Sequence, residues 1–398
     1  MKNALTRVSS KSSLFNSWLK LWKKVRPKSR ANHGVDGISL FDFERTHQSR
    51  IHDLSYQIRS GNYTPSPLRP DFIDKGGGKY RVICVPTTGD RVVQGSLLNF
   101  LQDHYHERFN NRLSYGFIKG KTVKSALTHA TTLRKQHPWV FKTDITSFFD
   151  RIPRDILQTR IRKIIREKTL HPILGKVVYC EIYSDSRSVT ERIARQGIKT
   201  GIGVRQGMPL SPFFSNLLLD RFDDAVQRAG LKAIRYADDL IFFADSLKEC
   251  QQIDAFCRVE LNEEKLEIPQ LGLESKSQIY APEKEADFLG AALTLKNGEY
   301  HITLPEARIQ KILNVFLDMS NIEELVARKI SLGKLTGILS AKRAGYDHAY
   351  EMCENVDHLH ERLENVEQKV LKKIYTEQLG INLSSLRPVA HRFLGLLR

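Results

Sequence analysis

The chain has 398 residues, 41% hydrophobic and 27% charged, an ordinary globular balance that argues against a disordered or fibrous protein. Lys and Arg outnumber Asp and Glu by 62 to 45, and the resulting net charge of +17 attracts polyanions, nucleic acid above all, although a basic soluble protein without such a partner has the same composition. Five cysteines (Cys84, Cys180, Cys250, Cys257, Cys353) form no C-x-x-C pair, and neither a signal-peptide pattern nor an 18-residue apolar run occurs; this argues against a zinc ribbon, a disulfide framework and a membrane span, and a cytoplasmic location is expected.

In chain order, Leu14, Phe15, Trp18, Leu19, Trp22 and Val25 recur at helical spacing, and Pro27 closes the segment. Lys20, Lys23 and Lys24, followed by Arg26, Lys28 and Arg30, fit an RNA-gripping surface and a solvated face equally well. Phe72 to Pro86 reads as two short strands around Gly76-Gly77-Gly78. Tyr115 to Leu127 starts as a loop with Lys119, Lys121 and Lys124, and Val140 to Ile145 is a short strand. Pro212 to Val226 is a helix, with Ser211 able to cap it and Pro212 in its first turn. Ala233 to Ala244 is two β-rich runs around Asp238-Asp239, and Cys250 and Cys257 share a helix face as buried thiols. From about Leu304 the pattern is helical. Val356, Leu359, Leu363, Val366 and Val370 make a heptad seam of barely two repeats, which suits packing inside a helical subdomain better than a dimeric coiled coil. The alternation of strands and helices in the middle points to an α/β or α+β layer fold.

Three acids carry the chemistry in this reading: Asp144 at a strand end, and Asp238 with Asp239 between two others. An Asp-Asp pair is most often an exposed turn. Here it is flanked by Ile234 and by Leu240, Ile241, Phe242 and Phe243, and two acids in an apolar β setting are costly unless a cation compensates them. Joining a nucleotide to a 3′ hydroxyl needs deprotonation, charge neutralisation and in-line attack, which two divalent ions held by carboxylates supply together.

Tyr236-Ala237-Asp238-Asp239 resembles the signature turn of reverse transcriptases, and Asp144-Ile145 with Phe148-Phe149 resembles their first catalytic motif. Arg205-Gln206-Gly207-Met208-Pro209-Leu210-Ser211-Pro212 is similar to a segment of the bacterial enzymes. Gly34-Val35-Asp36-Gly37, Tyr63 to Pro67, Asp90 to Gln94, Ser114 to Phe117 and Phe288-Leu289-Gly290 extend the likeness to the group II intron-like branch over roughly Gly34 to Gly290.

The resemblance implies an α+β right-hand polymerase, with fingers and palm of antiparallel sheet plus helices and an all-helical thumb. The expected division is 1–70 as a basic helical extension and start of the fingers, 71–300 as fingers and palm, and 301–398 as thumb and tail. It implies Asp144, Asp238 and Asp239 as ligands of two Mg²⁺ ions, with Asp150 and Asp245 as surface or capping acids. Arg81 and Lys75 would hold the triphosphate, Phe149 would exclude a 2′ hydroxyl while Phe148 fills the core, and Gln206 and Gly207 would flank the nascent pair. Lys265 would protonate the departing pyrophosphate, and Phe288, Leu289 and Gly290 would grip the primer. Rival readings are a solvated hairpin for Arg81 and Lys75, a surface lysine for Lys265, a turn for Gln206-Gly207 and a core strand end for Phe288 to Gly290.

The implied activity is RNA-directed DNA synthesis: dNTPs are joined into cDNA on a structured noncoding RNA, as a ribonucleoprotein in anti-phage defence and without a membrane or a nuclease domain. Arg160 to Lys168, like the basic first helix, suggests that RNA. The alternatives are a maturase-like RNA-binding protein of the group II intron kind and a retroelement or untemplated DNA polymerase.

Overall fold

The computed structural model describes residues 3–396. Contacts divide the chain into two compact units. One comprises the residues up to Thr122 together with Phe141–Ile279, the other Val123–Val140 together with the residues from Tyr280 onward.

In the first unit, β1 (Arg69–Asp74) and β2 (Tyr80–Val85) form an antiparallel hairpin with Ile73 opposite Arg81. Gly76, Gly77 and Gly78 in its turn all have positive φ, a backbone that side chains resist. A four-stranded sheet has the order β4-β5-β3-β6, with β3 at Trp139–Asp144, β4 at Lys232–Tyr236, β5 at Asp239–Ala244 and β6 at Gln278–Tyr280. Leu240 to Ala244 are buried on both faces, which is why this strand reads as a continuous apolar run. The helix Ser211–Arg228 runs through the core and packs on the helices Arg154–Ile164 and Leu247–Asn262. Pro212 stands in its first turn as expected, but Ser211 does not cap it: the Ser211 hydroxyl donates to the Arg205 carbonyl (2.8 Å) and ties the helix to the segment before it. Cys250 and Cys257 are buried on Leu247–Asn262, and all five cysteines are free thiols shielded from solvent.

The helix Lys11–Lys24 buries Leu14, Ser17 and Trp18, whereas Phe15 is largely exposed. It lies close against the helix Thr88–His104. Ser17 donates to the Val92 carbonyl at 2.7 Å, and a Cβ on Gly95 would come within 2.3 Å of the Ser17 hydroxyl.

The second unit holds a sheet that the sequence reading did not identify: β7 (Ala286–Phe288), β8 (Ala291–Lys296) and β9 (Glu299–Thr303), antiparallel throughout. The helix Val123–Gln136 packs on β9, and its Arg134 is fully buried, donating to the carbonyls of Leu293 (2.5 Å), Lys284 (2.6 Å) and Ala281 (3.1 Å). Helices follow from Glu306. In Val356–Lys373, Leu359, Leu363, Val366 and Val370 are buried against Glu306–Leu317 and Leu332–Ala349, so the heptad seam packs inside its own unit. The fold is α+β with antiparallel sheets, as the resemblance implied. No helix among the described residues is long and apolar enough to cross a membrane.

Candidate active site

Asp144 ends β3, and the turn between β4 and β5 is Ala237-Asp238, so that Asp239 is already the first residue of β5. The Ile145 amide donates to the Asp238 carbonyl at 3.1 Å. Bond lengths alone then cap the Cα separation of Asp144 and Asp238 at about 9 Å. Ala237 has φ 58, a conformation costing roughly 1–2 kcal/mol outside glycine and therefore dependent on its surroundings.

Those surroundings centre on Arg235, 1% exposed. Its guanidinium donates to both Asp223 carboxylate oxygens (2.7 and 2.5 Å), to Asn216 (3.0 Å), to the Ser114 hydroxyl (2.9 Å) and to the Ala237 carbonyl (3.2 Å). Asn216 in turn donates to the Gly116 carbonyl at 3.0 Å, and a Cβ on Gly116 would stand 2.3 Å from the Ala237 nitrogen. Sequence reasoning noticed Ser114 to Phe117 only as a likeness and missed Arg235 and Asp223 altogether. The available signal was an arginine inside an otherwise apolar strand.

Asp238 and Asp239 are half-buried, and burial first, then the neighbouring acid charges, hold both carboxyls above the usual range. Asp144 is paired with Lys276, yet its Oδ1 is buried without a hydrogen-bond partner. The Asp144 charge raises the pKa of both Asp238 and Asp239, and with one Asp144 oxygen orphaned the arrangement fits a hard cation. Among the described residues no three His, Cys, Asp or Glu side chains close into a tight ligand cluster. The three carboxylates are instead an open platform.

A cavity of about 870 Å³ is lined by Asp238 together with Arg81, Phe149, Gln206 and Gly207, which brings four of the residues read as nucleotide-binding to one place. Arg81 reaches in from β2, and its charge acts on Asp238. Gly207 has φ +109, and a Cβ there would meet the Cys84 carbonyl at 2.4 Å; the Cys84 amide donates to the Gln206 carbonyl at 2.7 Å. Phe148 is in the core at 2% exposure while Phe149 faces the cavity.

Other expected residues lie elsewhere. Lys75 is exposed on the hairpin, and its charge acts on Asp150. Asp150, expected as a surface or capping acid, is half-buried in the first turn of the short helix Phe148–Arg151 without a capping bond, and burial raises its pKa against the pull of Arg205 and Lys75. Asp245 is exposed, as expected. Lys265 is paired with Asp155 at 3.1 Å, both well exposed, and does not line the cavity. The ammonium groups beside the acids belong to Lys276, paired with Asp144, and to Lys142, whose charge acts on Asp239; sequence reasoning passed over both. The Thr143 and Ser277 hydroxyls, 2.6 Å apart and buried, pin the segment around Lys276, just before β6, beside β3. In the second unit, Phe288 is buried and pairs with Ala291, and Leu289 and Gly290 form the turn with φ 51 and +84. Gly290 faces Arg308 and Tyr350.

A layered α+β fold that draws Asp144 to the Asp238–Asp239 turn beside a cavity holding Arg81 suits nucleotide chemistry, and a family match gives the class as a nucleotidyltransferase of the polymerase kind. A family model described as "Reverse transcriptase (RNA-dependent DNA polymerase)" matches residues 73–293, more than half of the chain, and the chain belongs to that family. It is 25% identical to protein YkfC of Escherichia coli (strain K12), covering 64% of this chain and 77% of that one. It is also similar to the group II intron-encoded protein LtrA of Lactococcus lactis subsp. cremoris (25% identity, 49% and 31%) and to the retron Ec83 reverse transcriptase of Escherichia coli (24%, 50% and 60%). The chain thus spans less than two thirds of the length of LtrA and of the retron enzyme.

Proposed function

We propose that the protein copies an RNA template into DNA by nucleotidyl transfer at Asp144, Asp238 and Asp239, using two Mg²⁺ ions. The observation that carries this reading is the approach of Asp144 to the Asp238 turn, fixed by the Ile145–Asp238 backbone bond, next to the cavity that holds Arg81, Phe149, Gln206 and Gly207. Bound there, divalent ions would acidify the primer hydroxyl and offset phosphate charge.

The chain's own groups do the rest. Arg81 binds triphosphate oxygens bidentately, with Lys75 as a second charge. The Phe149 ring occupies the space a 2′ hydroxyl would need. Gln206 and Gly207 present backbone to the nascent pair, and the absence of a Gly207 side chain lets the Cys84 carbonyl of β2 pack against them. Lys265 gives a proton to the departing pyrophosphate, and Lys276 is a second candidate for that role; the support for Lys276 is its pairing with Asp144, and Lys265 is paired with Asp155. The Leu289-Gly290 turn is the proposed primer grip. Residues 71–300 serve as fingers and palm, and the helices after Glu306 as thumb.

The test is primer extension by the purified protein with an RNA template, dNTPs and Mg²⁺. A DNase-sensitive product complementary to the RNA is expected, abolished in Asp238→Ala. A product that survives Asp238→Ala overturns the reading. For the biological setting we propose anti-phage defence with a dedicated noncoding RNA, on the family resemblance. Sequencing of copurified nucleic acid should return one structured RNA, and phage plating on cells expressing Asp238→Ala should match cells lacking the protein.

A further inference from the structure

The helix Arg187–Arg195 has no part in the roles above. It buries no side chain of its own, so it does not fill the core. What it meets is the β1–β2 hairpin. The Arg192 guanidinium carbon lies 4.0 Å from the centre of the Phe72 ring and 4.3 Å from that of Tyr80, two rings that stand edge to face 6.3 Å apart. The neighbouring Arg187 and Arg195 are paired with Glu191 instead. About one turn beyond Arg192, the Gln196 side-chain carbonyl accepts from the Tyr80 amide at 2.9 Å.

Side chains alternate between the two faces of a strand. With Phe72 opposite Val82 and Ile73 opposite Arg81, one face of the hairpin carries Phe72, Tyr80 and Val82 and the other Ile73, Arg81 and Ile83. Arg81 and Ile83 line the cavity. The helix therefore braces the back of the ribbon whose front carries the arginine read as triphosphate-binding. A two-stranded ribbon is marginal by itself, and this one turns through three consecutive glycines, so it needs such support. The far end of the same segment is tied to the other residues of the cavity. The Lys199 carbonyl accepts from Arg205 at 2.7 Å, and the Gly201 amide donates at 2.8 Å to Glu181, which also accepts from Arg205. Gln206 and Gly207 follow directly in the chain. Residues 187–201 thus link the hairpin to the Arg205-Gln206-Gly207 segment.

We propose that Arg192 and Gln196 are positioning residues, which fix the hairpin relative to Gln206 and Gly207 so that Arg81 meets the triphosphate of the incoming nucleotide. This rests on the polymerase reading above and adds a brace that lies outside the cavity. A guanidinium holds aromatic faces by its charge and its flat contact. Lysine keeps the charge alone, and alanine keeps neither while remaining at home in a helix.

The test is single-nucleotide extension on a primed RNA template under single-turnover conditions, with wild type, Arg192→Ala, Arg192→Lys and Gln196→Ala, each also combined with Arg81→Ala. Template binding is read separately by anisotropy. Arg192→Ala should raise the apparent dNTP Kd about five- to tenfold, with the maximal rate within about twofold and the template Kd unchanged. Arg192→Lys should recover part of the loss, and Gln196→Ala should raise the dNTP Kd about threefold. In the Arg81→Ala background none of these changes should weaken dNTP further, because each acts through Arg81. Without any substrate, hydrogen exchange of the hairpin amides should be faster in Arg192→Ala, while the β4–β5 hairpin keeps its wild-type protection. If Arg192→Ala misfolds, Gln196→Ala carries the same comparisons. An unchanged dNTP Kd, or an effect that persists undiminished beside Arg81→Ala, overturns the proposal. So does a template Kd weakened as much as the dNTP Kd, which would make the helix an RNA contact instead. Because exchange needs no turnover, absence of DNA product from wild type overturns the polymerase reading, whereas unchanged hairpin exchange overturns the brace.

Discussion

Asp238 and Asp239 are held half-buried and side by side at a turn whose leading residue, Ala237, is itself in a disfavoured conformation. Such a site costs folding energy in the absence of cations. Both carboxyls have pKa values raised by burial, so their contribution favours the fold below the ordinary carboxylate pKa and is lost as pH rises through the raised values. In EDTA, Asp238→Asn should therefore raise the neutral-pH melting temperature by about 1–3 °C and lose that advantage near pH 4, as scanning calorimetry at both pH values would read. Phe149→Val should admit ribonucleotides, lowering the dNTP-over-rNTP preference in kcat/KM by ~10-fold or more. The acids, Arg81, Phe149, Gln206 and Gly207 were legible because each sits in a short motif whose residue types announce their chemistry. Lys276 was not, because nothing in its own neighbourhood marks it. Only the register set by Thr143 and Ser277 brings it to Asp144.

The β4–β5 hairpin depends on a buried ion pair that does no chemistry. Arg235→Met leaves the Asp223 carboxylate buried and uncompensated, which should cost about 3–5 kcal/mol in urea unfolding. Adding Asp223→Leu should recover most of it, while polymerisation stays impaired because the Ala237 carbonyl has lost its donor. The Arg205-Gln206-Gly207 segment is braced likewise: Glu181 accepts from Arg205 and from Arg154, both at 2.6 Å. Gly207→Ala would push a methyl into the Cys84 carbonyl, so it should lower kcat/KM for dNTPs by about 100-fold or more. Pattern reasoning found the strands around the acids because apolar runs and glycine turns frame them. Only the strand end at Phe288 was legible in β7 to β9; the β8–β9 hairpin was missed, although Asn297-Gly298 between alternating residues is a strong hairpin signal. The packing of Arg134 into this sheet was beyond reach, because its carbonyl partners lie some 150 residues downstream.

For the whole molecule, the two units are interleaved in sequence, because Val123–Val140 belongs with the C-terminal part. Cutting the chain after Ile279 would expose the fully buried Arg134 and strip the helix Val123–Gln136 of β9. Such a fragment should be insoluble or bind hydrophobic dyes, whereas the full chain gives a cooperative melt. The net charge, legible from composition alone, sets a second expectation: RNA affinity should fall steeply and linearly in a log–log plot against salt. The five buried thiols carry a practical consequence. Desolvation raises the pKa of each, to about 12 for Cys84, Cys180 and Cys250 and to about 11 for Cys353, so at neutral pH none offers an appreciable thiolate to an alkylating reagent. One cysteine introduced at exposed Lys79, on the glycine hairpin, would be the single site a maleimide dye decorates, and the native chain would serve as an unlabelled blank for watching that loop respond to nucleotide.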